Sequence, residues 1–151
     1  MRTVKDIINS KTKAFNSIHP GTLVINALNL LNSINLSYVV VMDDDQYKGI
    51  FSERDYSRNV ILKGRSSDST TVAEVMTVDL PVVESENSVE HCMNLLILHK
   101  SRYLLAFEQD QFVGVITIHD LLREVIANKE DVFDVSITRQ LIDNEESEKI
   151  Y

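Results

Sequence analysis

The stretch that decides the fold is GIFSERDYSRNVI at 49–61, and the chain repeats its pattern as GVITIHDLLREVI at 114–126. In both copies an apolar run that begins with glycine leads into Ser-x-x-Asp or Thr-x-x-Asp, and a helix-like pattern follows. A constant offset of 65 residues matches Gly49 with Gly114, Ser52 with Thr117, and Asp55 with Asp120. A repeat in a chain of 151 residues determines the architecture, because each copy is one supersecondary unit.

The repeat extends toward the N-terminus. TVKDII at 3–8 matches TVAEVM at 71–76, and each predicts a short amphipathic helical turn followed by a small strand. A longer helix comes next, which we expect to begin at Thr22 in the first copy and at Asn87-Ser88 in the second. Apolar residues recur there at helical spacing: Leu23, Val24, Ala27, Leu28, Leu31 and Ile34 in one copy, and Val89, Cys92, Met93 and Leu96 in the other.

Two further strands close each copy. YVVVM and YKGIFS flank the four polar residues 43–46, and YLLAF and FVGVIT flank the four polar residues 108–111. A short polar segment between two runs rich in β-formers is typical of a hairpin. The last helix of each copy is predicted to start at Ser52 or Thr117, so that each copy is ordered strand, helix, strand, strand, helix.

The composition divides the chain into four parts. We expect a first copy at 1–63, a polar linker at 64–71 that begins with the helix-stopping Gly64, a second copy at 72–127, and a tail at 128–151. The tail has no counterpart elsewhere. It carries acidic residues that are expected to fray and an apolar stripe at helical spacing, formed by Val132, Phe133, Ile137 and Leu141.

The overall composition limits the function. A net charge of −8 argues against binding to nucleic acid or to an anionic membrane, since both need a basic surface. The longest apolar runs are far below the ~18 residues of a membrane span. The first residues are too polar for a secretory signal, and a single cysteine, Cys92, cannot form an internal disulfide. A cytoplasmic location is the resulting prediction.

The motif Ser52-x-x-Asp55 has two interpretations. It is a capping-box pattern, which explains both residues without a ligand. It also lies where a strand runs into a helix, and unpaired amides at a helix N-terminus favour an anion. Arg54 favours the second interpretation, because a cation in the first helical turn opposes the helix dipole unless an anion is near.

Other residues give weaker indications of a metal, ligand or catalytic site. The four histidines include no pair at metal-ligand spacing within a cysteine or carboxylate cluster, so no metal site is predicted. His119 either contacts a phosphate or is an exposed turn residue. Cys92 lies on an apolar helix face and is predicted to pack there. The sequence shows no nucleophile motif and no phosphate-binding loop, so we do not expect an enzyme.

The tandem pattern of Gly, two apolar residues and Ser/Thr-x-x-Asp resembles a pair of cystathionine-β-synthase (CBS) domains, over residues 1 to about 127. The resemblance implies an α/β (α+β) fold whose two repeats are related by a pseudo-twofold axis, with sheets packed together and helices outside. It also implies clefts between the repeats for adenosine-containing ligands such as AMP, ADP, ATP, S-adenosylmethionine or NAD(H).

The same resemblance assigns the site residues. Asp55 and Asp120 would hold ribose hydroxyls, Ser52 and Thr117 would contact ribose or phosphate, and Arg54 would neutralise phosphate. The adenine or phosphate ends would be lined by Leu36, Tyr38, Arg102 and Tyr103, with His119 as a further candidate. Leu105 and His119 depart from the family pattern. Both lie in the second copy, which favours the first copy as the ligand site.

Three functional hypotheses follow. The leading one is a nucleotide-sensing regulatory module that acts as a homodimer and signals to a separate effector protein. The second is a dimerisation or interaction module whose ligand sites are degenerate. The third is a hydrolase acting on the bound nucleotide. The sequence does not distinguish AMP, ATP and NAD(H), because all of them share adenosine.

Overall fold

The computed structural model describes residues 2–127 together with Gln140, Leu141 and Asp143. The chain divides into two compact units. We call Phe15–Asp79 the middle unit, and Met1–Ala14 with Leu80–Tyr151 the split unit. The strands are β1 (Ser17–Ile18), β2 (Tyr38–Asp43), β3 (Gln46–Ser52), β4 (Val82–Glu84), β5 (Tyr103–Glu108) and β6 (Gln111–Thr117). The α-helices are α1 (Val4–Ser10), α2 (Val24–Ile34), α3 (Glu53–Asp55), α4 (Val89–His99) and α5 (Ile118–Ala127).

Among the described residues each unit contains one three-stranded sheet, and the two sheets have the same topology. In the middle unit β1 runs parallel to β2 and β2 pairs antiparallel with β3. In the split unit β4, β5 and β6 repeat this order. The predicted α/β fold with two tandem repeats is therefore confirmed.

The hairpin turns are tighter than expected. The predicted four-residue connections are wrong, because Asp43 pairs with Gln46 and Glu108 pairs with Gln111. Only two residues remain in each turn. Asp44, Gln109 and Asp110 take positive φ angles of 53°, 48° and 64°, as two-residue hairpin turns require.

The first helical turn of each sequence copy packs in the unit that holds the other copy's sheet. In the split unit, α1 is tied to the start of α4: the Val4 amide donates to Asn87 O at 2.9 Å, and the Val89 amide to Arg2 O at 3.3 Å. In the middle unit the 3₁₀ turn Val72–Glu74 has the corresponding bonds. There the Val72 amide donates to Thr22 O at 2.9 Å.

This exchange, in which each first turn packs against the other copy's sheet, brings a second segment close to the glycine of each motif. A Cβ atom at Gly49 would lie 2.8 Å from Met76 Sδ and 2.9 Å from the Thr77 carbonyl oxygen, and one at Gly114 would lie 2.8 Å from Ile8 Cδ1. Such distances are too short for packed atoms. At Gly49 glycine is needed, because the backbone of the exchanged segment crosses the sheet there; at Gly114 the close atom is the end of the Ile8 side chain, which can shift.

The cores confirm the predicted apolar stripes. Val24, Ala27 and Leu31 of α2 are buried against the middle unit's sheet. All four predicted residues of α4 are buried in the split unit's core. Cys92 is one of them, and burial raises its pKa to about 12. This confirms its role in packing.

The start of α2 differs from the expectation. Its N-cap is Leu23 and not Thr22, and no side chain caps the helix. The first amides are satisfied by backbone instead, since Val24 donates to Thr70 O at 2.8 Å and Ile25 donates to Ser67 O at 2.9 Å. The second copy follows the prediction, because the Ser88 side chain accepts from the His91 amide.

The segment predicted as a linker, 64–71, packs in the middle unit. Thr70 is buried, and Thr70 and Ser67 accept the α2 amides described above. Gly64 ends the preceding helical segment with φ 71°, a left-handed conformation that favours glycine. Its predicted role as a helix stop is confirmed.

The tail is described at three positions only. Leu141 is buried in the core of the split unit, so its side chain packs within the chain. The other members of the predicted stripe, Val132, Phe133 and Ile137, lie outside the described residues, as does the acidic end. Within the described part of the chain, no helix is both long and apolar enough to cross a membrane.

Candidate functional site

In the first copy the motif forms a complete capping box. Asp55 Oδ2 accepts from the Ser52 amide at 2.8 Å and from the Ser52 hydroxyl at 3.0 Å. The Asp55 amide in turn donates to Ser52 Oγ at 3.2 Å. Both residues are buried, with 7% of Ser52 and 6% of Asp55 exposed. The capping interpretation is therefore correct, and the carboxylate is held in one orientation at the end of β3.

A residue that the motif does not contain completes this arrangement. Thr77, which follows the exchanged turn, donates its hydroxyl to Asp55 Oδ1 at 2.7 Å. The three groups that donate these bonds to the Asp55 carboxylate, the Ser52 amide, the Ser52 hydroxyl and the Thr77 hydroxyl, are neutral. Burial raises the pKa of Asp55, and the hydrogen bonds from Thr77 and Ser52 together with the charge of Arg54 only partly oppose that rise.

Three other predicted residues lie near this carboxylate in the fold. Tyr38 pairs with Ser52 across the β2–β3 hairpin, and the Glu53 amide donates to Ser37 O at 3.0 Å. Arg54 is in the first turn after the cap and is half-buried. Leu36 precedes β2 and has 37% of its surface exposed. Tyr38 and Arg54 thus share one end of the sheet with Ser52 and Asp55.

The second copy repeats the hydrogen bonds of the cap, but cationic side chains also contact its aspartate. The Thr117 amide donates to Asp120 Oδ2 at 2.8 Å, and the Asp120 amide donates to Thr117 Oγ1 at 3.2 Å. Two cations also contact Asp120. Lys11 Nζ lies 2.8 Å from Oδ2, and Arg123 Nη2 lies 2.6 Å from Oδ1.

These cations change the protonation of Asp120. Burial alone would raise the pKa of this carboxyl, which has 4% of its side chain exposed. The charge and hydrogen bond of Lys11, followed by the bonds from Thr117 and Arg123, outweigh burial, so the pKa of Asp120 lies below its ordinary value. The pKa values of the two matched aspartates are therefore shifted in opposite directions, upward for Asp55 and downward for Asp120.

Helix geometry contributes to the difference. After Asp55 the chain forms a π turn at Tyr56–Val60 and a 3₁₀ turn at Ile61–Lys63, whereas α5 is regular from Ile118 to Ala127. A π turn contains more residues than an α turn, so the side chain three positions along points in another direction. Arg123 thus contacts Asp120 from a regular helix, whereas its counterpart Arg58 lies within the π turn.

The remaining predicted residues lie in the split unit. Tyr103 pairs with Thr117 across the β5–β6 hairpin, and the Ile118 amide donates to Arg102 O at 3.3 Å. His119 is exposed. The ten predicted residues are therefore divided between two equivalent sheet ends. Leu36, Tyr38, Ser52, Arg54 and Asp55 lie in the middle unit, and Arg102, Tyr103, Thr117, His119 and Asp120 lie in the split unit.

Sequence reasoning missed Thr77 and Lys11. Both follow the exchanged turns, and local patterns do not reveal which sheet such a turn packs against. The available signal was the matched glycine, which indicates close backbone approach at β3 and β6. In the part of the chain that the structure describes, no group of three or more His, Cys, Asp or Glu side chains is placed to hold a metal.

Known proteins share this architecture. The family model described as CBS domain matches residues 4–61 and 72–127. The mitochondrial CBS domain-containing protein CBSX3 of Arabidopsis thaliana is 29% identical over 133 residues, which cover 82% of this chain and 65% of the relative. The chain thus spans less than two thirds of that protein's length.

Two solved structures are similar in fold. A protein with CBS domains from Burkholderia ambifaria has a TM-score of 0.77 and 32% identity, with 88% of this chain and all of that chain covered. The structure of CBSX2 in complex with AMP has a TM-score of 0.70 and 24% identity, with coverage of 86% and 100%.

Proposed function

Because the chain belongs to the CBS domain family and contains two tandem CBS repeats, we propose that it is a regulatory module that binds an adenosine-containing nucleotide at Asp55. AMP, ADP and ATP are the ligands we expect first. NAD(H) and S-adenosylmethionine are the alternatives, since they contain the same adenosine.

The observation that carries this proposal is the buried Asp55 carboxylate, which accepts hydrogen bonds from the neutral groups of Ser52 and Thr77. A buried charge is costly unless it is paired or well hydrogen-bonded. The hydroxyls of a ribose cis-diol are donors that an ionised carboxylate accepts in short, strong bonds. Ser52 and Thr77 fix the carboxylate beforehand, so a ribose would meet an acceptor that needs no reorganisation.

The neighbouring residues suit the rest of such a ligand. Arg54 lies in the same helical turn as Asp55, and its guanidinium offers two parallel donors to phosphate oxygens. Tyr38, adjacent to Ser52 across the hairpin, offers an aromatic surface for a base. The CBSX2 structure contains AMP, which supports the ligand class for this fold.

We further propose that the module is a homodimer that signals to a separate effector protein. Large apolar side chains are exposed, with Leu62 at 77%, Leu98 at 74% and Ile126 at 68%. A second copy that covers such side chains removes them from water. Light scattering at micromolar concentration should give twice the chain mass, and a monomer would contradict this part. The cytoplasmic location stays a prediction.

The test is a thermal-shift and calorimetric screen against AMP, ADP, ATP, NAD⁺, NADH and S-adenosylmethionine. A ligand at 100 times its Kd adds about 2.7 kcal/mol of stability, or roughly 5–11 °C at 2–4 °C per kcal/mol. Asp55→Ala should abolish this shift. Asp6→Ala is the matched control, because Asp6 completes the Thr3 capping box and lies outside the proposed site.

The outcomes separate the three hypotheses. A shift that persists in Asp6→Ala and disappears in Asp55→Ala supports nucleotide binding. If no ligand shifts folded protein, Asp55 is a cap only and the interaction module is the better function. ATP incubated with the protein should be recovered unchanged by chromatography. Release of ADP or AMP would favour the hydrolase.

A further inference from the structure

Lys11 is bound at two points beside the second motif. Its ammonium lies 2.8 Å from Asp120 Oδ2 and also donates to the carbonyl oxygen of Val115 at 2.7 Å. Only 17% of the Lys11 side chain is exposed. This is a fixed contact, since the second bond orients the ammonium and burial limits competition from water.

The second cation at Asp120 is held differently. Arg123 contacts Oδ1, but 71% of its side chain is exposed. Exposed ion pairs gain little and are easily exchanged for water. A ligand could therefore displace Arg123 from Asp120 at small cost, whereas displacing Asp120 from Lys11 would leave a largely buried ammonium without its carboxylate partner.

At the matched site the residue that contacts the carboxylate from the exchanged segment is neutral. Thr77 in the middle unit and Lys11 in the split unit each follow an exchanged turn and contact the capping carboxylate, Thr77 at Oδ1 of Asp55 and Lys11 at Oδ2 of Asp120. A neutral hydroxyl leaves the charge of Asp55 available to a ligand. An ammonium cancels the charge of Asp120.

We infer that Lys11 is an internal ligand of Asp120 that closes the second motif to nucleotide, so that each chain binds one nucleotide and binds it at Asp55. This inference rests on the proposed function for its ligand. It assigns Lys11, a residue outside both motifs, as the determinant of site number. The second Thr-x-x-Asp is then a structural copy of the first.

The test compares wild type, Lys11→Met and Lys13→Met by calorimetry with AMP and with ATP. Methionine retains much of the lysine stem's length without its charge, and Lys13 is an exposed control two residues away. We expect one site per chain in wild type and Lys13→Met, and two in Lys11→Met. The new site should be lost in Lys11→Met/Asp120→Ala and kept in Lys11→Met/Asp55→Ala.

A measurement without nucleotide shows whether Lys11→Met is folded and whether the environment of Asp120 has changed. The Asp120 carboxyl, followed by ¹³C NMR, should titrate at higher pH in Lys11→Met than in wild type, and the dispersed spectrum shows that the variant is folded. The inference is overturned if wild type and folded Lys11→Met each bind one nucleotide, or if wild type binds two. The proposed function stands in both cases.

The failure of the proposed function has a different signature. If wild type binds none and Lys11→Met binds one through Asp120, Lys11 closes the second motif as inferred, but Asp55 is not a nucleotide site. If neither protein binds AMP or ATP, both ideas fail.

Discussion

Thr77 Oγ1 lies 2.7 Å from Asp55 Oδ1, across a sequence separation of 22 residues. Thr77 follows the first turn of the second copy, and Asp55 belongs to the cap of the last helix of the first copy. The bond therefore joins the two sequence copies. A motif that looks local, Ser52-x-x-Asp55, thus depends on a segment that belongs to the other copy. Stability and ligand binding at Asp55 should respond together when this segment is changed.

The first prediction concerns the Thr77 hydroxyl. Thr77→Val keeps the side-chain shape and removes the donor, which leaves Asp55 Oδ1 with one hydrogen bond fewer. Hydrogen bonds to charged groups contribute about 1.5–3 kcal/mol. We expect a loss of this size in the free energy of unfolding from urea titration at pH 7, together with weaker nucleotide binding.

Thr12→Val is the control for this change, because Thr12 is exposed. Surface substitutions usually stay within about 0.5 kcal/mol. An unchanged m value in both variants would indicate that the two-state transition is preserved. Equal stability in Thr77→Val and Thr12→Val would mean that the Thr77 hydroxyl does not support Asp55.

The second prediction is that the two matched aspartates titrate on opposite sides of 3.8, their common ordinary pKa. Burial raises the pKa of Asp55, so its favourable contribution is complete below 3.8 and is lost as the pH rises through the raised value. The cations at Asp120 lower that pKa, so its contribution is present above 3.8 and is lost as the pH falls through the lowered value.

Side-chain ¹³C NMR titration measures both pKa values directly. The stability difference between wild type and Asp55→Asn should shrink as the pH rises above 3.8, and that between wild type and Asp120→Asn should shrink as the pH falls below it. Nucleotide binding should lower the pKa of Asp55 and leave that of Asp120 unchanged. Parallel titration of both carboxyls would contradict the difference in charge between the two motifs.

The local elements of the fold were predictable because their signals are local. Ser88 and Ser52 cap helices with their own side chains, and Gly64 stops a helix through its own backbone angle. The repeat offset further predicted two equivalent sheet ends, where hairpin pairing brings Tyr38 to Ser52 and Tyr103 to Thr117.

The unpredicted features come from contacts between segments distant in sequence. Thr22 has the residue type of a cap, but the carbonyl of Thr70 satisfies the first amide of α2, and nothing near Thr22 reveals this. Lys11 appears in sequence as one solvated lysine among several. Its role depends on the exchange of the first turns, which makes the electrostatic environments of two matched aspartates unequal.

The third prediction uses the close approach at Gly49. Gly49→Ala would place Cβ 2.9 Å from the backbone oxygen of Thr77, which cannot move without shifting the Thr77 side chain from Asp55. Overpacking of this kind costs about 1–3 kcal/mol. We expect chemical denaturation to show that loss and calorimetry to show weaker nucleotide binding.

Gly64→Ala is the control, because it should destabilise the protein without moving the Thr77 side chain away from Asp55. Nothing lies within 4 Å of a Cβ at Gly64, and only its φ of 71° is unfavourable. The cost should be about 1–2 kcal/mol, with nucleotide affinity unchanged. If both variants weaken binding in proportion to their lost stability, the crossing segment has no specific influence on Asp55.

The fourth prediction concerns the phosphate end of the ligand. Arg54→Gln removes a cation from the first helical turn beside Asp55, and Arg58→Gln removes one from an exposed position further along. If Arg54 pairs with phosphate, the affinity for ATP should fall roughly tenfold or more in Arg54→Gln, since charge-assisted bonds contribute about 1.5–3 kcal/mol. The affinity for adenosine should stay the same in both variants.

Salt dependence tests the same contact independently. Raising the ionic strength shortens the screening length from about 10 Å at 0.1 M to 3 Å at 1 M, so ATP should bind wild type and Arg58→Gln more weakly in high salt. Arg54→Gln should lose much of this dependence, because the charge that attracts the phosphates is gone. If the ATP affinity of Arg54→Gln and of wild type depended equally on salt, Arg54 would not contact the phosphates. Another cation would then bind them.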